Sequence, residues 1–128
     1  TSFDVDIRTA PNLQHADICE RLHDYLGDSV LMTSLVDLPA VLSDAEWPWV
    51  QKVCELSRPY HQQPPEPRIV PYFTDASLLL PALNHPPCLI LGPGEPSMAH
   101  QTDEYCALET LAQAETLYAG IIADWMQG

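Results

Sequence analysis

Hydrophobic and polar residues alternate over residues 3–8, where every second side chain is apolar. This period of two is typical of a strand with one face in water, and it recurs over residues 30–36. Between them, over residues 16–26, apolar residues recur at three- and four-residue steps, which predicts a short amphipathic helix ended by Gly27. The first part of the chain therefore predicts strand, helix, strand.

The remaining chain alternates helices with strands. Strands are predicted over residues 68–73 and 87–91, and a long apolar stripe predicts a helix over residues 106–126. Further helices are predicted after the cap residues Ser43 and Asp44 and, from Thr74 or Asp75, through Leu83. This order is typical of an α/β layer sandwich, and the whole chain is predicted to be α/β, or α+β overall.

Composition and charge exclude several classes of partner. Five Lys and Arg face 18 Asp and Glu, so the formal net charge is −13. Such a surface repels phosphate backbones and anionic lipid, which argues against nucleic-acid binding and membrane docking. The sequence has no apolar run of membrane-spanning length and no signal-peptide pattern, so we expect a protein without a membrane partner.

The four cysteines stand singly, without a Cys-x-x-Cys pair. This spacing argues against a zinc knuckle, a thioredoxin-type motif or a disulfide scaffold. Reduced thiols in a cytoplasmic protein are the expected state. The chain begins at Thr1 within a predicted strand, and we expect it to be a piece of a longer protein.

A candidate metal ligand follows the strand over residues 87–91. His100 lies beyond the loop Gly92-Pro93-Gly94 and before two carboxylates, an arrangement that suits a ligand imidazole oriented by an acidic group. An exposed loop histidine without a ligand is the other interpretation. The two glycines permit close backbone approach to a ligand or to His100, or they form a tight turn.

Two further residues could bind a substrate carboxylate. Arg8 ends the first predicted strand in a strongly acidic chain, and a guanidinium suits bidentate carboxylate recognition, although a surface ion pair is the alternative. Thr74 precedes a predicted helix, where it could cap the helix or contact the same carboxylate.

Read together, the sequences Val5-Asp6-Ile7-Arg8, Phe73-Thr74-Asp75-Ala76, Leu89-Ile90-Leu91-Gly92-Pro93-Gly94 and Ala99-His100-Gln101 resemble a known family. The chain is similar to the C-terminal part of the di-zinc aminoacylase and carboxypeptidase family, which includes acetylornithine deacetylase and succinyl-diaminopimelate desuccinylase. The resemblance covers nearly the whole chain in order.

The resemblance implies two parts with different roles. Residues 1–40 would be the second half of a ferredoxin-like α+β lid that also makes a homodimer. Residues 41–128 would be the C-terminal part of a zinc-peptidase-like α/β sandwich catalytic domain.

The implied function is removal of an N-acyl group from an amino acid, or cleavage of a small peptide. His100 would bind Zn²⁺, Arg8 the substrate carboxylate, and Thr74, Gly92 and Gly94 would line the pocket. Cobalt or manganese could replace zinc. The family's other zinc ligands and its general base lie in an N-terminal half that is not in this sequence. The chain alone should therefore contain no catalytic residue, bind no metal tightly and hydrolyse nothing.

Two alternatives stay open. The chain could be a non-catalytic relative or remnant that serves as a subunit-association module, because its predicted strand edges favour pairing with another chain. It could also be an unrelated acidic α/β binding module. One departure from the family bears on the pocket: Tyr72 and Phe73 stand where many members carry glycines before the threonine.

Overall fold

The computed structural model describes residues 1–127, and their regular structure is helical. The helices are α1 (His15–Leu26), α2 (Pro48–Ser57), α3 (Ala76–Ala82) and α4 (Leu108–Gln127). Single 3-10 turns lie at Arg58–Tyr60 and Pro96–Met98. These bounds confirm the helices predicted from apolar spacing.

The chain forms two compact units, each built from separate stretches of sequence. The first unit comprises Thr1–Leu42 and Val70–Pro86. The second comprises Ser43–Ile69 and the chain from Pro87 onward. α1 and α3 therefore belong to the first unit, and α2 and α4 to the second.

The predicted α/β fold is wrong. No residue of 1–127 lies in a strand, so the described chain contains neither a zinc-peptidase-like α/β sandwich nor half of a ferredoxin-like lid. The physical reason is that a period of two tells which side chains share a face, but supplies no hydrogen-bonding partner. Proline also interrupts the pattern, since Pro71 and Pro87 lack the N–H that a ladder requires.

Helix α1 is defined by its ends rather than by a buried face. Gln14 precedes it in an extended conformation, and Gly27 ends it with φ 73° while donating its N–H to the His23 carbonyl at 2.8 Å. A positive φ is costly for residues that carry a Cβ, so glycine suits this position. No residue of α1 is buried, which leaves the terminal contacts to define its length.

The core of the second unit lies where α2 packs against α4. Val50 and Val53 of α2 are 1% and 2% exposed, and Ala114 of α4 is 8% exposed. Trp49 and Trp125 meet edge to face, with ring centroids 6.2 Å apart. Aromatic pairs in this geometry contribute roughly 1 kcal/mol beyond the area they bury.

The beginning of α2 differs from its predicted cap. Pro48 occupies the first turn, where its missing N–H costs nothing, and Trp47 is the N-cap residue without a side-chain hydrogen bond. Ser43 and Asp44 act elsewhere: the Ser43 hydroxyl accepts the Cys88 N–H at 2.8 Å, and Asp44 accepts the Glu46 N–H at 2.9 Å.

Two polar contacts fix the segment that precedes the glycine loop in the second unit. The Ser43 hydroxyl binds the backbone at Cys88, and the Tyr118 hydroxyl of α4 donates to the Leu91 carbonyl at 3.0 Å. The segment predicted as a strand over residues 87–91 is thus held by side chains from the rest of its unit, instead of by a neighbouring strand.

Glycine-to-alanine substitutions at Gly27 and Gly120 should change stability in opposite directions. Gly27 has a positive φ, so Gly27→Ala should lower the free energy of unfolding by about 1 kcal/mol. Gly120 lies inside α4 with open space around its missing Cβ, so Gly120→Ala should raise it by about 1 kcal/mol. Denaturant unfolding followed by circular dichroism measures both free energies. Changes of the same sign and size in the two variants would contradict the positive φ of Gly27 and the helical position of Gly120.

Candidate functional site

His100 lies in an exposed loop between the Pro96–Met98 turn and α4. Its backbone takes a positive φ of 60°, and its N–H donates to a carboxylate oxygen of Glu104 at 3.2 Å. The loop continues as a turn in which the Glu104 N–H donates to the Gln101 carbonyl at 3.2 Å. The acidic neighbour expected to orient the imidazole therefore binds the backbone of His100.

The described residues do not fit a complete zinc site. Zinc in proteins takes about three or more protein ligands. Within residues 1–127, no group of three or more His, Cys, Asp or Glu side chains is placed to hold a metal ion. A role for His100 as one ligand among several therefore stays a prediction.

Gly92 and Gly94 border open space in the second unit. A Cβ built at either position meets no atom within 4 Å, and neither residue has a positive φ. Neither glycine is therefore required by local packing or by backbone conformation. Both glycines are exposed to solvent, and their role in lining a pocket stays a prediction.

Arg8 lies in the first unit with its side chain 52% exposed. Its Nε and Nη2 groups donate to one carboxylate oxygen of Asp6 at 3.1 and 3.0 Å, and Nη1 donates to the Pro71 carbonyl at 2.9 Å. The guanidinium is thereby fixed in orientation between a side chain and a distant backbone carbonyl. It already binds one carboxylate, which a substrate carboxylate would have to displace or bind beside.

Thr74 is half-buried at the start of α3. Its carbonyl accepts the Ser77 N–H at 3.2 Å, while Asp75 is the N-cap residue and makes no side-chain cap hydrogen bond. The hydroxyl of Thr74 is therefore not the cap of α3. The first unit contains Thr74 together with Arg8, whose guanidinium binds the carbonyl of Pro71.

The sequence-predicted site residues fall into two groups. Arg8 and Thr74 belong to the first unit, and Gly92, Gly94 and His100 belong to the second. Each group keeps its predicted role as an expectation.

A hydrogen-bonded cluster in the first unit was missed by sequence reasoning. His15, at the start of α1, contacts the Thr9 hydroxyl through Nε2 at 2.8 Å and the Asp37 carboxylate through Nδ1 at 2.5 Å. The cluster lies beside a cavity of about 340 Å³. Its members are separated by irregular spacings in the sequence, so no motif indicates them. The sequence feature that points to this cluster is the position of His15, directly before the predicted amphipathic helix.

Comparison with known families identifies the class of protein. A family model described as peptidase family M20/M25/M40 matches residues 18–124. Because the match covers most of the sequence, the chain belongs to this peptidase family. The family resemblance read from the short motifs is confirmed at this level, and a hydrolase of the metallopeptidase and amidohydrolase type is the class it defines.

No curated protein and no solved structure matches the chain. The acetylornithine deacetylase and succinyl-diaminopimelate desuccinylase branch is therefore a finer assignment that stays a prediction. Among residues 1–127, none of the helices has the length and apolar character needed to cross a membrane.

Alanine at Gly92 or Gly94 should leave the fold intact. Each substitution adds a methyl group to open space at an ordinary backbone conformation, so the free energy of unfolding should change by less than about 0.5 kcal/mol. Denaturant unfolding checks this, with Gly27→Ala as a control that a positive φ makes destabilising. A loss above about 1 kcal/mol would show that the glycines serve local structure, which would weaken their role in lining a pocket.

Proposed function

We propose that this chain contributes to a metal-dependent amidohydrolase that removes an N-acyl group from an amino acid, as acetylornithine deacetylase or succinyl-diaminopimelate desuccinylase does. The observation that carries the proposal is the family match over residues 18–124. The substrate is an N-acyl amino acid or a small peptide. The strongly acidic composition, with a net charge of −13, makes a nucleic-acid substrate unfavourable.

Recognition of the substrate carboxylate falls to Arg8 in this proposal. The side chain is half exposed and holds a carboxylate oxygen of Asp6 with two N–H groups, the donor pattern that a carboxylate ligand uses. An exposed ion pair of this kind contributes about 0–1 kcal/mol, so exchange of Asp6 for a substrate carboxylate is energetically accessible. The bond to the Pro71 carbonyl can hold the guanidinium during that exchange.

The remaining roles follow from the same proposal. Thr74 in the first unit, and Gly92 and Gly94 in the second, each have a proposed role in substrate binding. His100 is one metal ligand, supported by its exposure in a loop. Zn²⁺ is the proposed metal, with cobalt or manganese as substitutes, and further ligands have to come from outside residues 1–127.

The proposed division of labour assigns residues 1–40 to a lid that also makes a homodimer, and residues 41–128 to the catalytic part. Exposed apolar side chains in the first segment support a role in association. Phe3 and Val5 are 78% and 67% exposed, and Leu31 is 93% exposed. Apolar side chains exposed in this way are available to contact another chain.

The same surface favours a second candidate function, that of a non-catalytic subunit-association module of the family. In this alternative the exposed residues of segments 3–8 and 30–36 bind another chain, and neither Arg8 nor His100 contacts a substrate or metal. The two candidates differ in chemistry, so measurements of hydrolysis distinguish them.

A cytoplasmic location is part of the proposal. All four cysteines are free thiols, the state that a reducing compartment maintains. Burial raises the pKa of the Cys54 thiol, which keeps that group protonated and unreactive at neutral pH.

The proposal is tested by hydrolysis in the complete protein that carries this chain. Release of the free amino acid from N-acetylornithine and N-succinyl-diaminopimelate should require added metal and stop with a chelator. Arg8→Ala should raise KM by about 10- to 100-fold, because a charge-assisted contact with the substrate carboxylate contributes about 1.5–3 kcal/mol. Arg8→Lys should restore part of the affinity, since lysine keeps the charge without the bidentate geometry.

Arg21→Ala is the matched control, because Arg21 is an exposed arginine of the same unit and has no proposed substrate role. Its KM should equal that of the parent protein. An unchanged KM for Arg8→Ala would refute the carboxylate contact. Absence of hydrolysis of every N-acyl amino acid, together with a stable dimer in sedimentation, would instead support the association module.

A further inference from the structure

The Thr9, His15 and Asp37 side chains form a continuous hydrogen-bonded chain within the first unit. The Thr9 hydroxyl lies 2.8 Å from Nε2 of His15, and Nδ1 of the same ring lies 2.5 Å from the Asp37 carboxylate. Both ring nitrogens of His15 are thus engaged, one by a hydroxyl and the other by an acid.

The chemistry of the groups fixes the direction of each hydrogen bond. An ionised carboxylate accepts but cannot donate, so Nδ1 of His15 carries the proton that Asp37 accepts. In the neutral imidazole Nε2 then has a free lone pair and accepts from the Thr9 hydroxyl. This is the order of nucleophile, base and orienting acid that activates a hydroxyl.

Local structure explains how residues so far apart in sequence meet. Pro11 lies in a turn closed by the Leu13 N–H, which donates to the Ala10 carbonyl at 3.0 Å. This turn folds Thr9 back towards the first residue of α1, which is His15. Asp37 reaches the same ring from the segment that follows the helix. His15 is 28% exposed and Asp37 62% exposed, so solvent water reaches the cluster.

A cavity of about 340 Å³ adjoins the cluster, and His15 and Asp37 are part of its wall. Its volume lies at the lower end of the range for small-molecule sites. The rest of the wall comprises the polar Gln14 and six apolar residues, Ala10, Pro11, Leu13, Ala16, Pro39 and Ala40, and its exposed surface is more polar than apolar. Thr9 does not line the cavity itself and adjoins it through its contact with His15. A cavity of this size has room for a short acyl group.

We propose that Thr9, His15 and Asp37 form a second, metal-independent site that hydrolyses small acyl esters through a threonyl-ester intermediate, with the acyl group in the adjoining cavity. Thr9 is the nucleophile, His15 the general base and Asp37 the residue that positions the imidazole. The site is separate from the proposed amidohydrolase chemistry and does not depend on it. It departs from the expectation, drawn from the family resemblance, that the chain alone hydrolyses nothing.

The reaction balances with water as the second reactant. Thr9 Oγ1 forms a bond to the acyl carbon while its proton moves to Nε2 of His15. The ester bond breaks, and the leaving alkoxide takes that proton and departs as the alcohol. Water then gives a proton to Nε2 and its oxygen attacks the threonyl ester, which releases the carboxylic acid and restores the Thr9 hydroxyl.

In this proposal, the beginning of α1 is assigned the electrostatic support of the negative oxygen that forms during attack. Gln14, the N-cap residue, makes no side-chain hydrogen bond to the first turn, so the N–H groups of that turn are not capped by it. Ala16 belongs to this turn and to the wall of the cavity. Backbone N–H groups at a helix N-terminus stabilise developing negative charge.

The test uses the chain of 128 residues with p-nitrophenyl acetate and butyrate as esters and a fluorophosphonate as covalent trap. We expect ester hydrolysis in the presence of a chelator, and a fluorophosphonate adduct that peptide mass spectrometry locates on Thr9. His15→Gln should lower the rate about 100-fold, because general base catalysis contributes roughly that factor. Thr9→Ala should abolish the adduct, whereas Thr9→Ser should retain it.

His23→Gln is the matched control for ester cleavage by any surface imidazole. His23 lies on the same helix, is more exposed than His15, and is 3.8 Å from the carboxylate of Asp28. Its loss should leave the rate unchanged. Circular dichroism of each variant checks that the helix α1 still forms. Thr9→Ser keeps the hydroxyl and removes only a methyl group, so it tests Thr9 with the smallest change in side-chain shape.

Three results would overturn the proposal. The first is equal hydrolysis by the His15→Gln and His23→Gln variants, which would assign the activity to unspecific imidazole catalysis. The second is a trap adduct on a residue other than Thr9. The third is loss of ester hydrolysis with the chelator, which would assign the reaction to a metal. Failure of the amidohydrolase assay leaves these readouts unaffected, so the two proposals fail separately.

Discussion

The packing of α2 against α4 is the contact on which the arrangement of the second unit depends. Val50 and Val53 are almost fully buried there, and the Trp49 and Trp125 rings of the two helices meet edge to face. Once α4 is fixed in this way, its Tyr118 hydroxyl can bind the Leu91 carbonyl, directly before the glycine loop. The position of a candidate ligand-binding loop therefore follows from hydrophobic burial in a helix pair some distance along the chain.

The helices could be predicted from sequence because their signal is local. A three- and four-residue apolar spacing and a glycine after residue 26 define α1 without reference to any other segment. The strands could not, because a strand exists only with a hydrogen-bonded neighbour. Val5 and Ile7 alternate with acidic residues as a strand would, yet they are 67% and 49% exposed and belong to no strand in residues 1–127. An alternating apolar and polar sequence favours an extended chain, but a sheet forms only when that chain finds a hydrogen-bonding neighbour.

The site shows the same limit at the level of side chains. Sequence reasoning selected Arg8 and His100 one at a time, from residue type and position relative to expected elements. It could not predict that Asp6 and the Pro71 carbonyl share the guanidinium, or that Thr9 and Asp37 meet on the ring of His15. Apart from the Asp6–Arg8 pair, which is two residues apart, those contacts join residues at spacings that match no helix or strand period. They become visible only when turns bring the segments together.

Acidic side chains outnumber the cations of this chain, and Arg8 and Lys52 each form ion pairs with them. The chain has five Lys and Arg against 18 Asp and Glu, and Asp6 binds the Arg8 guanidinium at 3.0 Å. At physiological salt the net charge of −13 is screened beyond about 8 Å, so it cannot by itself exclude a substrate carboxylate from the surface. Local geometry therefore decides the outcome. Asp6 accepts both hydrogen bonds with one carboxylate oxygen, so a substrate carboxylate binds Arg8 more strongly than Asp6 only if it accepts them with two oxygens. The hydrogen bond from Arg8 to the Pro71 carbonyl fixes the orientation of the guanidinium plane for either partner.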